Sequence, residues 1–257
     1  MTDVAPPPWA MLFRADNPGP MTLQGTNTWV LAAPGSTGRV VVDPGPLDDA
    51  HLEAVAAAGP VDLVLLTHRH PDHAEGAHRF REMVRAPMAA ADPAYTVDAE
   101  PLAAGTLVAG GLSIEVTPTP GHTSDSVSFL VTSTAAGSPV EAAVLTGDTV
   151  LGSGTTVVAH PDGVLADYLQ SLDALAGLRG VRLLPGHGPV RADAADVVAT
   201  YVAHRRQRLD EVRAAVAAGA RTAQDVVAVV YADVDAGVHD AAVLSVRAQL
   251  AYLEASR

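Results

Sequence analysis

Four segments of the chain have the same form, an apolar run that ends in a short turn with histidine or aspartate. The first run, residues 61–66, leads into the sequence Thr67-His68-Arg69-His70-Pro71-Asp72-His73. The other three runs end in the pairs Gly121-His122, Gly147-Asp148 and Gly186-His187. Because the ends of strands in one sheet can meet at one edge, we expect these side chains to lie close together. The pattern predicts an α/β protein with a polar site at that edge.

The turn after the first run has the composition of a metal site. Imidazole and carboxylate groups bind zinc and similar divalent ions. Side chains alternate along an extended chain, so His68 and His70 can face the same side. Pro71 then bends the chain, and Asp72 and His73 can face a neighbouring point. A solvated histidine-rich turn is the alternative, but such dense spacing of four ligand-type groups favours metal binding.

Strand-like and helix-like segments alternate through the first 189 residues. Strands are predicted at residues 29–32, 39–42, 114–117, 126–131, 142–146 and 181–184. Helices are predicted at residues 47–58, 74–84 and 167–176, with a polar loop at residues 132–139. This alternation is typical of an α/β core. Residues 1–189 are therefore predicted to form the first domain.

The composition changes after residue 190 to helical segments rich in alanine and valine. Three helices are predicted, at residues 192–218, 222–231 and 239–256. Residues 190–257 are thus expected to form a C-terminal three-helix appendage. Its role is either contact with substrate or nucleic acid, or a surface for packing or dimerisation. Its near-neutral charge favours the second role.

The four turns, taken in order, resemble the metal-ligand motifs of the metallo-β-lactamase-fold hydrolases. The resemblance covers nearly the whole chain and implies a four-layered αβ/βα sandwich with metals at one edge, in which residues 1–189 are the catalytic domain. It implies that one ion is held by His68, His70 and His122. The second ion would be held by Asp72, His73 and His187, and Asp148 would bridge the two. Two divalent ions are expected: zinc, with iron or manganese as alternatives.

Within this superfamily the chain is most similar to the lactamase-beta-like protein 2 group. The similarity lies in residues 17–28, 147–155 and 201–205. The lactamases best known for antibiotic hydrolysis often use a cysteine ligand and lack the bridging aspartate, whereas this chain has no cysteine and has Asp148. The C-terminal helices resemble the winged-helix-like tail of the group. The sequence ends just after the third helix, so we expect the tail to have no β-wing.

The resemblance implies a hydrolase in which a metal-bridging hydroxide attacks the substrate, with Asp72 orienting it and taking up a proton. The expected substrate is an ester, thioester or lactone-type small molecule. The alternative is a single-strand endoribonuclease or phosphodiesterase, as in some members of the group. A redox or non-catalytic metal protein is a third hypothesis, against which the complete ligand set argues.

Three further residues are candidates for substrate binding. His160 lies in a predicted loop, where it can face the substrate. His204 and Arg205 recur in the resembling group, and an arginine fork suits carboxylate or phosphate. An ordinary charged helix face is the alternative for this pair.

The charge of the chain bears on its partners. All of the basic residues are arginine, 16 against 29 acidic residues, which gives a net charge of −13. A negative field repels polyphosphate at long range, so a small molecule is the expected partner, with single-stranded RNA and a second copy of the chain as alternatives. The absence of cysteine excludes disulfides, and no signal peptide or membrane span is predicted. A cytoplasmic location without membrane contact is expected.

Overall fold

A computed structural model of the protein describes residues 3–133, 141–232 and 236–256, so most of the predicted loop at 132–139 lies outside the described residues. The strands are β1 (Ala10–Arg14), β2 (Asn27–Leu31), β3 (Arg39–Val42), β4 (Val61–Leu65), β5 (Met88–Ala89), β6 (Gly105–Ala109), β7 (Leu112–Pro118), β8 (Val127–Ser133), β9 (Ala142–Gly147) and β10 (Arg182–Pro185). The helices are α1 (Asp49–Ala56), α2 (Pro71–Ala74), α3 (Ala77–Val84), α4 (Leu165–Leu175), α5 (Ala194–Ala217), α6 (Ala223–Val230) and α7 (His239–Ala255). Short 3-10 turns lie at Pro93–Tyr95 and Ala236–Val238.

The described strands form two five-stranded mixed sheets. The first sheet has the order β1-β2-β3-β4-β5, and β3, β4 and β5 run parallel. The second sheet has the order β10-β9-β8-β7-β6, and β9 and β10 run parallel. The remaining neighbours are antiparallel. Each sheet therefore has a parallel part, formed by β3, β4 and β5 in the first sheet and by β9 and β10 in the second. The carboxyl ends of the strands in each parallel part lie at the same edge of their sheet.

Side chains that alternate along the strands build the layers. Val40 and Val42 face the core between the two sheets, while Val41 faces the helices on the outside. The inner core contains large buried side chains from both sheets, among them Trp29, Leu65, Ile114, Phe129, Leu145 and Leu184. Burying each aliphatic side chain of this kind contributes about 1.5–3 kcal/mol as an upper estimate. Hydrophobic alternation thus sets which face of each sheet is inside.

Helices cover the outer face of each sheet. On the first sheet, α1 and α3 pack through Leu52 and Phe80 against the outward side chains of β2–β4. On the second sheet, α4 and the start of α5 pack through Tyr168 and Val198 against Val144 and its neighbours. The order of layers is therefore helix, sheet, sheet, helix. The predicted four-layered αβ/βα sandwich is confirmed.

The C-terminal helices lie close to the predicted positions. The 24-residue helix α5 takes part in two hydrophobic clusters. Its first part packs with α4, whereas Val212 and Ala215 pack with Val226 of α6 and Val246 of α7. Residues 192–232 and 236–256 contain helices and no named strand. Because α5 belongs to both clusters, the domain boundary at residue 190 stays a prediction.

One edge of the sandwich brings the predicted turns together. Val127 N donates to Thr67 O at 2.8 Å, and Asn27 N donates to Gly186 O, also at 2.8 Å. These backbone bonds join the first sheet to the second beside the ends of β4 and β10.

None of the helices that the structure describes has the length and apolar character needed to cross a bilayer.

Candidate metal centre

The turn after β4 presents its ligand-type side chains from a strand end and from the start of a helix. His68 follows the buried end of β4, and His70 is the N-cap of α2. Pro71 occupies the start of α2, where its fixed φ suits the first helical turn. Asp72 and His73 then lie in that turn. The bend expected at Pro71 is the beginning of a helix.

Three imidazoles form the first group. His68 Nε2 lies 3.1 Å from His70 Nδ1, and His122 Nε2 lies 3.0 Å from the same atom. One ligand atom from each residue lies within 4.8 Å of the others. Nitrogens bound tetrahedrally to zinc at about 2.0–2.1 Å are separated by about 3.3 Å. The spacing of this group fits a metal ion.

A carboxylate and two imidazoles form the second group. His187 Nε2 lies 3.1 Å from Asp72 Oδ2 and 3.3 Å from His73 Nε2. His73 Nε2 lies 3.4 Å from Asp72 Oδ2. His73 and His187 are fully buried, whereas the Asp72 side chain is 26% exposed. The second group therefore opens to solvent at Asp72.

Asp148 lies between the two groups. Its Oδ2 is 3.3 Å from His187 Nε2 and 3.7 Å from His122 Nε2. Its Oδ1 is 3.3 Å from His73 Nε2, and this buried oxygen accepts no hydrogen bond within the described part of the chain. His68, His73 and Asp148 also form a third candidate metal-binding set. A buried carboxylate in contact with both groups fits a bridging position.

The outer nitrogens of His122 and His187 donate to backbone carbonyls, which turns the Nε2 atom of each ring toward the centre. His122 Nδ1 donates to Val157 O at 2.8 Å, and His187 Nδ1 donates to Gly25 O at 3.2 Å. A ring that donates through Nδ1 keeps a lone pair on Nε2, the atom that faces the centre. The hydrogen bonding of the centre thus matches what a metal requires.

Asp43, which the sequence pattern did not single out, contacts the candidate ligand His73 directly and His68 through Thr67. Its Oδ2 accepts from His73 Nδ1 at 2.9 Å and from Thr67 Oγ1 at 2.7 Å, and its Oδ1 accepts from Thr67 N at 2.7 Å. Thr67 Oγ1 in turn accepts from His68 Nδ1 at 3.0 Å. Asp43 follows β3 directly, so the strand-end pattern could have identified it. One buried carboxylate therefore orients two histidines.

The variant Asp43→Asn is expected to weaken metal binding about 10- to 100-fold, the usual effect of losing such a supporting contact. An amide cannot accept all three hydrogen bonds, because one of its two positions is an NH₂ donor. Competition with a chromogenic chelator measures the affinity. Asp49→Asn, at a side chain that is 65% exposed, is the matched control. Equal metal affinity in both variants would show that Asp43 does not support the centre.

The carboxylates favour positive charge at the centre. Burial tends to raise the pKa of Asp72, but His73 and His187 outweigh it and lower the pKa to about 2. Burial tends to lower the pKa of His187, but Asp148 and Asp72 raise it to about 9. Burial is the largest cause of the fall in the pKa of His122 to about 4. Before a cation binds, the centre thus combines ionised carboxylates, a neutral His122 and a protonated His187, and a bound cation would take the place of the proton on His187.

The loop before β2 positions Asp72. Thr26 Oγ1 donates to Asp72 Oδ2 at 3.3 Å and accepts from Asn17 Nδ2 at 3.0 Å. Asn17 Oδ1 accepts from Thr26 N at 2.8 Å. The segment at 17–28, which carries part of the resemblance to the family, therefore also supports the centre.

Arg69 connects the loops around the centre. Its guanidinium lies 2.6 Å from Asp162 Oδ1 and 3.4 Å from Asp125 Oδ1. It also donates to Ser124 Oγ at 3.3 Å. Arg69 lies within the histidine motif but points away from the ligands. Its role could not be inferred from the motif alone, because its partners come from distant turns.

The three candidate substrate contacts lie outside the ligand cluster. His160 is exposed on the loop before α4, and its backbone N donates to Leu244 O of α7. His204 is half-buried on α5, and Arg205 is buried beside it. Arg205 donates to Thr156 O. The last two residues therefore lie behind the segment that holds His122, and their role in binding stays a proposal.

The fold and the site define a class: an αβ/βα sandwich with histidine and aspartate metal-ligand candidates at one edge of its sheets. A family model described as the Metallo-beta-lactamase superfamily matches residues 21–187. The chain belongs to the metallo-beta-lactamase superfamily. A second model, the Beta-lactamase associated winged helix domain, matches residues 222–256. Helix α5 lies between the two matched regions.

Relatives support the resemblance seen in the sequence. The Beta-lactamase-like protein 2 homolog of Drosophila melanogaster is 31% identical over 265 residues, 93% of this chain and 85% of that protein. The Atrochrysone carboxyl ACP thioesterase of Aspergillus fumigatus is 35% identical over 68% of this chain and 54% of that protein. The crystal structure of a Beta-lactamase domain protein from Burkholderia ambifaria aligns with a TM-score of 0.79 at 22% identity, over 99% of this chain and 88% of that one. This last likeness shows the fold.

Proposed function

We propose that the protein is a metal-dependent hydrolase that cleaves an ester, thioester or lactone bond in a small molecule. The observation that supports this most is the convergence of five imidazoles and two carboxylates at one edge of the sheets. Few structural roles need so many titratable groups at such short separations. Membership of the metallo-beta-lactamase superfamily supports the same conclusion.

The proposed ligands follow the two groups. His68, His70 and His122 would hold one divalent ion, and Asp72, His73 and His187 the other, with Asp148 between them. Zinc is the proposed metal, with iron or manganese as alternatives. When bound, such ions lower the pKa of water toward neutrality and polarise a substrate oxygen.

Asp72 is proposed to act on the attacking water and its proton. Its low pKa keeps the carboxylate ionised, so it can accept a hydrogen bond from water, and Thr26 fixes one of its oxygens. A group with this pKa does not retain a proton at neutral pH. Because the side chain is partly exposed, the proton passes on to solvent. Asp72 would therefore orient the water and relay the proton.

A thioester is the favoured substrate within this class. The A. fumigatus relative is named a thioesterase, and its similarity extends over two thirds of this chain. The net charge of −13 disfavours a long polyanion. The endoribonuclease alternative requires a local positively charged groove that can bind RNA despite the negative net charge of the chain. The homodimer and the cytoplasmic location expected from the sequence stay predictions.

An assay of the metal-loaded protein is expected to show thioester cleavage that a chelator abolishes and added zinc restores. The reason is that residues 3–133, 141–232 and 236–256 contain no other cluster of histidine and carboxylate groups that could hold a metal ion and activate water. The substrates are a set of acyl thioesters, esters and lactones. Cleavage of the thioesters is measured by the thiol released, and cleavage of the esters and lactones by the acid released. Labelled single-stranded RNA is incubated in parallel. RNA cleavage with every small substrate intact would replace this proposal by the endoribonuclease.

A further inference from the structure

A cavity of about 260 Å³ lies behind the metal centre, between residues 155–157 and the C-terminal helices. Its walls include Arg205 and Arg208 of α5, together with Tyr231 after α6. Binding sites for whole small molecules commonly occupy about 300–1,000 Å³. This cavity therefore has the size of a site for one group of a substrate.

One short segment of backbone separates the cavity from the candidate ligands. On the metal side, Thr156 Oγ1 donates to Asp148 O at 2.6 Å, and Val157 O accepts from His122 at 2.8 Å. On the cavity side, Thr156 O accepts from Arg205. The cavity therefore adjoins the candidate ligands, on the opposite side of this segment.

Arg205 is a buried charge without a described counter-ion. It is 5% exposed, and no carboxylate of residues 3–133, 141–232 or 236–256 forms an ion pair with it. Its Nε is buried and has no hydrogen-bond partner among these residues. Its guanidinium lies 5.0 Å from the centre of the Tyr168 ring, and burial raises the pKa of that tyrosine, which stays neutral. A buried charge of this kind is costly unless an anion compensates it.

A second guanidinium group and an imidazole also line the cavity. Arg208 lies 4.8 Å from the centre of the Tyr231 ring, and its Nη1 is shared between Glu211 at 2.7 Å and Val230 O at 3.1 Å. The Nδ1 atom of His204 is buried and has no hydrogen-bond partner among the described residues. Burial and the two guanidinium groups lower the pKa of His204, so its imidazole is neutral, and Arg205 is the positive charge of the cavity that no described carboxylate pairs.

We infer that this cavity binds an oxyanion group, a carboxylate or a phosphate, on the molecule that is cleaved at the metal centre. The inference rests on the proposed function, because it assigns a second contact to the same substrate. Guanidinium groups bind both oxyanions through paired, charge-assisted hydrogen bonds. A carboxylate on the acyl part and a phosphate on the thiol part are the two sources.

Hydrolysis of three thioesters shows whether the cavity binds a carboxylate or a phosphate. They are a neutral butyryl N-acetylcysteamine thioester, its glutaryl counterpart with a free carboxylate, and butyryl phosphopantetheine with a phosphate. We expect the wild type to prefer one anionic substrate over the neutral one, as measured by the ratio of their kcat/KM values. Arg205→Gln should lower that ratio about 10- to 100-fold, the usual effect of losing a charge-assisted hydrogen bond. The substrate that loses its advantage identifies the anion.

Arg206→Gln is the matched control, since Arg206 is the next residue on α5, is exposed and lines a different groove. It should leave the ratio within about twofold, as is usual for a surface substitution. Arg205→Lys keeps the charge but loses the paired donors of the guanidinium group, so it should also lower the ratio. It takes the place of Arg205→Gln if the glutamine variant does not fold. An equal preference in the wild type and in the Arg205 variants would overturn the inference.

A direct binding measurement separates this inference from the proposed function. Glutarate and phosphopantetheine are titrated by calorimetry into the full chain in the presence of chelator, where catalysis plays no part. Binding by the wild type that is lost in Arg205→Lys or Arg205→Gln supports the anion site even if no thioester is cleaved. Absence of binding in the wild type, with thioesters cleaved normally, contradicts the site and leaves the hydrolase proposal intact.

Discussion

Replacing Asp148 by alanine is expected to abolish turnover and to reduce the amount of bound metal. Asp148 contacts His73, His187 and His122 through its two oxygens at 3.3–3.7 Å. Without it, both proposed metal sites lose a ligand, and the buried imidazoles lose the negative charge beside them. A bound metal contributes several kcal/mol of transition-state stabilisation, so we expect kcat/KM to fall at least about a thousandfold.

Metal content by elemental analysis and thioester hydrolysis measure this effect in the same preparation. Asp173→Ala is the control, because Asp173 is exposed on α4. Thermal unfolding shows whether the fold is retained. Full activity of Asp148→Ala, or of a rigorously metal-free wild type, would contradict the proposed mechanism.

The second large effect is expected for Gly186→Ala, a change of one methyl group. A Cβ at residue 186 would lie 2.5 Å from Asp148 Oδ1 and 2.7 Å from His73 Cε1. Both atoms belong to the candidate ligands, so accommodating the methyl group displaces them. Since misplacement of a reacting group by about 1 Å costs about 100-fold in rate, we expect a loss of that order or larger. The expected cost in the free energy of unfolding is about 1–3 kcal/mol, as for other overpacked sites.

Gly177→Ala is the matched control for this variant. A Cβ at residue 177 would meet no atom within 4 Å, and its backbone does not require glycine. We expect wild-type activity and a change in unfolding free energy within about 0.5 kcal/mol. The comparison of activity, metal content and thermal unfolding between the two variants isolates the effect of crowding at the ligands. Equal activity of both variants would show that Gly186 has room for a side chain.

The sequence predicts the parts of the fold in which local pattern and tertiary structure agree. The predicted strands at residues 39–42 and 142–146 correspond closely to β3 and β9, and the predicted helix at 239–256 corresponds to α7. These segments have clear hydrophobic patterns and are bounded by turn residues. The convergence of the ligand-type residues could be predicted for the same reason, since each one follows a strand.

Other parts of the fold depend on contacts that the sequence does not reveal. No strand is predicted before residue 29, yet residues 10–14 form β1, which pairs with β2 in antiparallel register. The two-residue strand β5 and the exposed strand β6 were also missed. Edge strands of this kind are defined by their partners more than by their own composition.

The supporting contacts of the centre are also tertiary. Asp43 reaches His73 across 30 positions of sequence, and Thr26 reaches Asp72 across 46. Asp43 precedes Pro44 and Gly45, a sequence typical of a turn. The turn accounts for an aspartate at this position, so the sequence gives no separate sign that Asp43 orients His73. Metal ligands can be recognised by their spacing, whereas the residues that orient them have no fixed spacing.

The double packing of α5 limits how a substrate can enter. Because the first part of this helix is anchored on α4 and its end on α6 and α7, the C-terminal helices cannot swing away from the sandwich as a rigid lid without breaking a hydrophobic cluster. The partly exposed side chain of Asp72 marks the open side of the centre, so a substrate would approach from that side without displacing these helices. Substrate selectivity would then depend on surfaces that are already in place, the Arg205 cavity among them, with no need for a closing movement of these helices.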